Sequence, residues 1–280
     1  MRAKTILIIS LCILTIKVFS QNLTNIDIVK YEYYYNYEFL NDSTSRYSLK
    51  SQEMVLQVGE HLSKFTSANK LFSDSVLAIV EKKEIGHAGK VLEGFNLVKG
   101  SLTNPLCNYD VYKNYPEKNT LTFTARISKN YFTLIQKSHP HWELDTNNDS
   151  TILSFKCHKA TTKFAGRSYI AWFTTDIPIS DGPYKFSGLP GLIIKINDIQ
   201  NQHCFTLIEV KKIKFEKPIF YIQKDYQKIT PQEYVKALDV NSAKMLDMLH
   251  DQEKIKSFNQ ESNIKAENNL KSRNNFIERY

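Results

Sequence analysis

The segment IDIVKYEYYYNYEF, residues 26–39, decides the fold class of this 280-residue chain. Aromatic side chains occupy every second position in it, at Tyr31, Tyr33, Tyr35, Tyr37 and Phe39. A repeat with a period of two is typical of a β-strand, so the segment is predicted to be a strand with one aromatic face. Aromatic rings stack on sugars and apolar groups, so Tyr31, Tyr33 and Tyr35 could line a ligand cavity. The simpler interpretation is that these rings pack into the core of a sheet.

Short strand-like segments also dominate the middle of the chain. Seven are predicted, at residues 106–112, 120–127, 131–136, 151–159, 167–174, 190–198 and 203–212. Turn sequences separate them, including DTNNDS at 145–150. Successive strands with short connections favour an antiparallel sheet.

Two helical segments interrupt this pattern. Apolar residues recur at helical spacing over 68–84, which predicts a helix that covers the sheet. Thr230, Pro231 and Glu233 form a capping box with proline at the first helical position, so a second helix is predicted from there, with a break at 239–241. The predicted fold class is therefore α+β and β-rich: a strongly curved antiparallel sheet, similar to half a barrel, with a covering helix and a helical C-terminal segment. By analogy, such half-barrels in lipoprotein carriers hold acyl chains on the concave face.

The first twenty residues are typical of a signal peptide. Arg2 and Lys4 precede an apolar run, 5–16, and small Ser20 ends the segment. Because the run is shorter than the roughly 20 apolar residues of a membrane-spanning helix, the protein is predicted to be exported, to the periplasm or the cell surface, and not to span a membrane. One β-rich domain is predicted over 21–250, followed by a polar, mobile or helical tail over 251–280.

The positive charge of the chain does not indicate a nucleic-acid partner. Cleavage at residue 20 would remove Arg2, Lys4 and Lys17 and no acid, so the net charge would fall from +8 to +5. The remaining basic residues are spread among acidic ones, which is typical of a solvated surface.

Three cysteines remain after residue 20, at positions 107, 157 and 204. Exported proteins can form disulfides, and a bridge between Cys157 and Cys204 is one hypothesis. If their strands were adjacent and antiparallel, His158 would face His203 on the other side of the sheet, as a two-histidine metal site would require. Two predicted strands lie between the cysteines, however, and simple pairing of successive strands would hold them apart.

A glycine- and proline-rich bend follows the strand at 167–174. It contains Gly182-Pro183 and Gly188-Leu189-Pro190-Gly191, and it leads into Leu192 and Ile193. Glycine permits positive φ and proline fixes φ, so the backbone path here is strongly prescribed. Arg167 is predicted to pin the bend through a forked ion pair with Asp176 or Asp181, which makes the bend an architectural corner and the rigid rim of a binding site.

The same region resembles the GLPGLI family, exported proteins of Bacteroidetes named after the residues at 188–193. Matching residues are Trp142-Glu143-Leu144, Cys157, Lys159-Ala160-Thr161, Gly166-Arg167, Ala171-Trp172, Ile177-Pro178-Ile179 and Gly182-Pro183. Residues 274–278 are similar to the family's Asn-Asn-Pro-Ile-Glu ending, with Phe276 in place of proline. The resemblance implies no assigned reaction, and it implies an outer-membrane receptor or another envelope protein as a partner.

Three functions follow from these patterns. The first is an exported module that binds an apolar or sugar ligand, or a protein partner, near outer-membrane machinery, with Tyr31, Tyr33, Tyr35, Arg167, Trp172 and Asp176 as the binding residues. The second is a hydrolase or metal-dependent enzyme that uses Asp176 with Asp181 or Asp198, or His139 and His141. The third is a structural envelope component. The sequence has no nucleophile or phosphate-binding motif, and no cofactor or metal is predicted.

Overall fold

The structure is a computed structural model that describes residues 23–82, 106–137, 140–255 and 273–280. The predicted signal peptide at 1–20 and His139 lie outside these ranges. So do residues 83–84 of the first predicted helix and most of the predicted tail.

The described residues form mainly β-strands. The strands are β1 (Leu23–Ile28), β2 (Tyr31–Leu40), β3 (Leu49–Val58), β4 (Ser63–Ser67), β5 (Tyr109–Lys113), β6 (Leu121–Ile127), β7 (Asn130–Gln136), β8 (Glu143–Ile152), β9 (Phe155–Phe164), β10 (Arg167–Thr174), β11 (Leu192–Asp198), β12 (His203–Lys212), β13 (Pro218–Ile222) and β14 (Tyr226–Lys228). Twelve form one sheet in the order β14-β7-β6-β5-β4-β3-β2-β12-β11-β10-β9-β8, and β1 pairs separately with β13.

The large sheet is open and almost entirely antiparallel. Its edges are β8 and β14, and only the short β14 runs parallel to its neighbour, β7. The prediction of a β-rich α+β fold with a large, mainly antiparallel sheet is confirmed.

Strand β8 occupies a stretch that the sequence predicted to be a turn, residues 145–150. It is an edge strand that pairs only with β9, and its register jumps from Asp145 opposite Lys159 to Asp149 opposite His158. Three extra residues of β8 therefore bulge out of the pairing. Polar residues and bulges are common on edge strands, because one side of such a strand has no neighbour in the sheet.

The aromatic face of β2 packs into the core of the protein. Tyr33, Tyr35 and Tyr37 are buried, and Tyr31 and Phe39 are half-buried against the same cluster. The hydroxyl of Tyr35 donates to the backbone carbonyl of Ile193, 2.8 Å away. The period of two therefore marks the core side of a strand, in agreement with the simpler of the two interpretations.

The connection between β10 and β11, residues 175–191, fills the concave side of the sheet, and we call it the core loop. Its Tyr184 ring lies 5.4 Å from Tyr109 on β5, and its Phe186 ring lies 4.7 Å from Tyr169 on β10. In a flat sheet six strand spacings would separate β5 from β10 by about 29 Å. Because the two rings are only 6.2 Å apart, the sheet must curve around the core loop.

This position differs from the predicted rim of a binding site. Residues 181–187 are buried, as are Leu189, Leu192 and Ile193, whereas Gly188 and Pro190 are exposed. Gly188 has a φ of +99°, which few other residues adopt, and a Cβ at Gly191 would overlap the carbonyl oxygen of Thr174. The motif is thus architectural, but it shapes the interior of the sheet and not its edge.

Two α-helices lie outside the sheet. Helix α1 (Ala68–Lys82) packs against β3 and β4. Helix α2 (Pro231–Ile255) begins with the predicted capping box, in which the Glu233 carboxylate accepts from the Thr230 amide at 2.7 Å and the Thr230 hydroxyl accepts from the Glu233 amide at 3.2 Å. It continues through 239–241, so the predicted break there is wrong. Neither helix combines the length and apolar character that crossing a bilayer would require, within the residues that the structure describes.

Residues 273–280 pack against the sheet and the core loop, although the sequence predicted a mobile or helical tail from 251 onwards. Asn275 and Glu278 are buried. The hydroxyl of Tyr169 donates to the carbonyl of Ile277 at 3.0 Å, and the amide of Arg279 donates to the carbonyl of Ala165 at 2.8 Å. We call these eight residues the docked segment.

Candidate functional site

A pocket of about 520 Å³ lies between the sheet, helix α2 and the docked segment. Strands β2, β5, β6 and β12 contribute lining residues, and α2 contributes Tyr234, Val235 and Leu238. Its aromatic lining residues are Tyr37, Phe39, Tyr109, Phe123, Tyr184, Tyr234 and Phe276. Its volume lies in the range of roughly 300–1,000 Å³ that is usual for small-molecule sites.

The aromatic walls are held together by ring contacts. Phe123 on β6 lies 5.1 Å from Tyr234 in an edge-to-face arrangement, which fixes the first turns of α2 to the sheet. Tyr109 lies 5.4 Å from Phe123, and Tyr37 stacks on Phe39 at 4.8 Å. The capping box begins α2 four residues before Tyr234, so a local sequence signal sets the position of this wall.

His203 is a buried polar residue at the pocket. The hydroxyl of Tyr37 lies 2.7 Å from its Nδ1, and its Nε2 has no hydrogen-bond partner within the described ranges. Burial, together with the positive charges of Arg167 and Arg279, lowers the pKa of His203 to about 3, while Asn275 and the Phe276 backbone are close enough to oppose the shift. The imidazole is therefore neutral at physiological pH.

Two other buried polar groups line the pocket. The hydroxyl of Tyr109 lies near the thiol of Cys107 and makes no hydrogen bond of ordinary geometry. Burial raises the pKa of the Cys107 thiol to about 12, so this thiol is protonated and a poor nucleophile. The hydroxyl of Tyr109 and the Nε2 of His203 are both buried from solvent and are costly to leave unpaired.

The charged residues of the pocket are mainly basic. Lys50, Arg126 and Arg273 are exposed lining residues, and none of them forms an ion pair with the described acids. Glu278 is the acidic lining residue, and it is buried 2.7 Å from the ammonium of Lys185, which neutralises it. The pocket therefore carries an excess of positive charge.

The six predicted binding residues lie elsewhere. Tyr33 and Tyr35 are in the core, and Tyr31 stacks on Tyr33 at 6.1 Å. Trp172 is half-buried against the core, and Asp176 is exposed just after β10. Arg167 is buried at the start of β10. None of the six lines the pocket, although Tyr37 and Phe39 of the same aromatic face do.

The predicted ion pair of Arg167 with Asp176 or Asp181 is wrong. Arg167 begins β10, and both aspartates follow the other end of this eight-residue strand, so they are too far away. Its guanidinium instead donates to Asp198 at 2.9 Å and to the carbonyl of Phe276 at 2.7 Å. Arg167 therefore joins β10 to the docked segment.

Asp181 is held by basic and hydroxyl groups from other strands. The ammonium of Lys113 pairs with Asp181 and donates to the carbonyl of Phe186 at 3.0 Å, and the hydroxyl of Ser63 also donates to Asp181. Burial lowers the pKa of Lys113, while Asp181 opposes this shift. The ion pair fixes the core loop to β5.

The residues of the enzyme hypothesis are not joined in the described parts of the chain. Asp176 and His141 are exposed, Asp198 pairs with Arg167, and no hydrogen bond or ion pair connects any two of Asp176, Asp181 and His141. The described residues also contain no group of three or more His, Cys, Asp or Glu side chains placed to hold a metal ion.

The hypothesised bridge between Cys157 and Cys204 is not formed. Cys157 lies on β9 and Cys204 on β12, and β10 and β11 separate these strands in the sheet. Three strand spacings correspond to about 14 Å, which is beyond the reach of a disulfide. Cys107, Cys157 and Cys204 are free. Because His158 and His203 lie on the same two separated strands, they do not face each other and cannot form the hypothesised two-histidine site.

The pocket residues were missed for different reasons. Tyr37 and Phe39 belong to the aromatic period of β2, and Tyr234 follows the capping box, so local signals for these three were present. Phe276 and Glu278 reach the pocket only because residues 273–280 dock. No local pattern indicates a contact between positions about a hundred residues apart.

One family model matches a short part of the chain. Residues 163–195, which span the end of β9, β10, the core loop and the start of β11, match a family described as "Protein of unknown function (Porph_ging)". No curated protein matches the sequence.

Two solved structures of PNGF-II, in the P21 and C2 space groups, resemble this fold. They have TM-scores of 0.47 and 0.46 at 13% and 14% sequence identity, over 75% of this chain in each case. The chain spans about a third of the length of these proteins, 33% and 32%.

Proposed function

We propose that this protein is an exported binding protein of the cell envelope and that its ligand occupies the 520 Å³ pocket. The pocket carries the proposal, because it combines seven aromatic lining side chains with polar ones, among them Asn108, Asn241 and Ser242. Such a lining suits a small amphipathic molecule, since the rings contact its apolar part and the polar atoms orient it.

The proposed export and the proposed protein partner rest on sequence patterns. Residues 1–20 have the pattern of a signal peptide, and residues 188–193 resemble the GLPGLI family, which implies a site of action beside outer-membrane receptors. The short match at 163–195 is to a family of proteins of unknown function, which supports only a coarser assignment than the GLPGLI family. In this proposal the ligand-binding domain is presented in the periplasm or at the cell surface.

The pocket can be tested with a neutral fluorescent probe, N-phenylnaphthylamine, added to the purified protein. We expect saturable binding with a rise in fluorescence. Replacing Leu238 with Trp should weaken binding about tenfold or more, because the larger side chain would fill space needed by the probe. Lys236→Trp is the matched control, because Lys236 is an exposed residue of the same helix that does not line the pocket.

Native mass spectrometry of protein purified from its own envelope gives a second readout. We expect a copurified small molecule that the Leu238→Trp variant lacks and the Lys236→Trp variant retains. The proposal fails if the probe does not bind saturably, or if the two variants bind it as tightly as the unmodified protein.

A further inference from the structure

A second, smaller pocket adjoins the first. It has a volume of about 290 Å³ and shares Asn108 and Arg126 with the first pocket. Its other lining residues include Lys70, Asp74, Asp110 and Tyr226. Arg126 therefore stands at the junction, with aromatic walls on one side and charged residues on the other.

The two carboxylates of the second pocket are already neutralised, and Lys224 adds a further basic side chain to its lining. The ammonium of Lys70 lies 2.8 Å from Asp74 and 2.7 Å from Asp110, and Lys64 lies 3.9 Å from each carboxylate. Two ammonium groups thus neutralise two carboxylates. These groups leave no net negative charge to offset Arg126.

Arg126 has no acidic partner among the described residues. Its Nε donates to the carbonyl of Ser128 at 2.8 Å, and its guanidinium lies 5.7 Å from the ring centre of Tyr131. Both contacts orient the side chain, and neither neutralises it. Lys50 and Arg273 line the first pocket and likewise lack an acidic partner in the described parts of the chain.

We propose that the ligand is an anionic amphiphile, with its apolar body against the aromatic walls of the first pocket and its acidic group at Arg126, assisted by Lys50 and Arg273. The inference rests on the proposed function, because it concerns the ligand of the same pocket. A carboxylate, sulfonate or phosphate would provide the missing negative charge, and arginine binds such groups through charge-assisted hydrogen bonds.

Two probes that share one skeleton isolate the role of charge. Anilinonaphthalene sulfonate carries an acidic group that neutral N-phenylnaphthylamine lacks. At low ionic strength we expect the sulfonate to bind about tenfold more tightly, and we expect this advantage to shrink with added salt.

Arg126→Gln should remove most of the advantage of the sulfonate over the neutral probe, whereas Arg126→Lys should retain part of this advantage because the charge remains. Lys244→Gln, at an exposed position on α2 away from the pocket, is the control and should change neither affinity. Equal affinities of the two probes, or an unchanged ratio in Arg126→Gln, would overturn the inference and leave the pocket itself intact. Absence of binding by both probes would overturn the proposed function as well.

The source of the acidic group can be distinguished by competition. Decanoate, added as monomers, should displace the sulfonate probe if the ligand is a free amphiphile. Vesicles of phosphatidylglycerol should displace it if the ligand is taken from a membrane. Either result supports an anionic amphiphile as the ligand. If neither decanoate nor the vesicles displace the probe, the inference is contradicted.

Discussion

The ammonium of Lys185 lies 2.7 Å from the carboxylate of Glu278, and both side chains are almost fully buried. Glu278 also accepts from the hydroxyl of Tyr184 at 2.9 Å. Two successive residues of the core loop thus hold one residue of the docked segment. One buried group of polar contacts therefore connects the core loop inside the sheet to the docked segment, which forms one wall of the pocket.

Removing one partner of this ion pair should strongly destabilise the protein. Lys185→Met leaves the Glu278 carboxylate buried without its cation, and we expect unfolding in urea to show a loss of about 3–5 kcal/mol. The double variant Lys185→Met/Glu278→Leu should recover part of the loss, because no buried charge remains. Lys163→Met, at an exposed position on β9, serves as the control. A loss below about 1 kcal/mol in the single variant would contradict the burial of the pair.

The glycines of the core loop should differ in their sensitivity to substitution. Gly191→Ala places a methyl group into the carbonyl of Thr174, so we expect a loss of about 2 kcal/mol or more. At Gly188 a Cβ would make only ordinary contact with Trp142, 3.7 Å away, and alanine should cost only about 1 kcal/mol through its positive φ. Urea unfolding of both variants, with Ser180→Ala as an exposed control, checks this order. A larger loss at Gly188 than at Gly191 would mean that the core loop is packed differently.

Stability should fall in acid because His203 must gain a proton on unfolding. The pKa of His203 is about 3 in the folded protein, compared with an ordinary value of 6.5, mainly because the ring is buried. Above pH 6.5 the ring is neutral in both states, so its contribution to the free energy of unfolding is fully present. As the pH falls from 6.5 to 3, the unfolded chain binds this proton first, and the free energy of unfolding drops by up to about 1.4 kcal/mol per pH unit. Below pH 3 this contribution stays constant.

The measurement compares urea unfolding of His203→Gln with the unmodified protein across this pH range. In His203→Gln, the free energy of unfolding should depend less steeply on pH between 3 and 6.5. His61→Gln, at an exposed position, should keep it. Identical slopes for the unmodified protein and His203→Gln would show that His203 is not buried in its neutral form.

Arg167 should control how firmly the docked segment is held. Arg167→Lys loses the forked contacts to Asp198, Asn275 and the carbonyl of Phe276, which one ammonium cannot replace. We expect amide hydrogen exchange in residues 273–280 to accelerate about tenfold or more, because hydrogen bonds to charged groups contribute roughly 1.5–3 kcal/mol each. Arg46→Lys, on the surface, should have no effect. Unchanged exchange in Arg167→Lys would rule out this role.

Much of the fold was predictable because its signals are local. The alternation of aromatic residues on β2 and the capping box of α2 each depend on residues a few positions apart, and both predictions agree with the structure. Strand β8 was missed because an edge strand can be polar and bulged, so DTNNDS has the composition of a turn.

The candidate site was less predictable because it depends on distant contacts. Arg167 and the aspartates after β10 are close in sequence but lie at opposite ends of a strand, whereas Arg167 and Phe276 are distant in sequence and in contact. Tertiary packing decides such pairs. The sequence alone offered many equally plausible acidic partners.

The docked segment has a consequence for the life of the protein in the cell. Phe276 and Glu278 help to enclose the pocket, and both lie within residues 273–280, which contribute no strand to the sheet. A protease that removed the docked segment would therefore leave all fourteen strands in the chain and take away one wall of the pocket. Trimming at this end would weaken ligand binding without shortening a single strand.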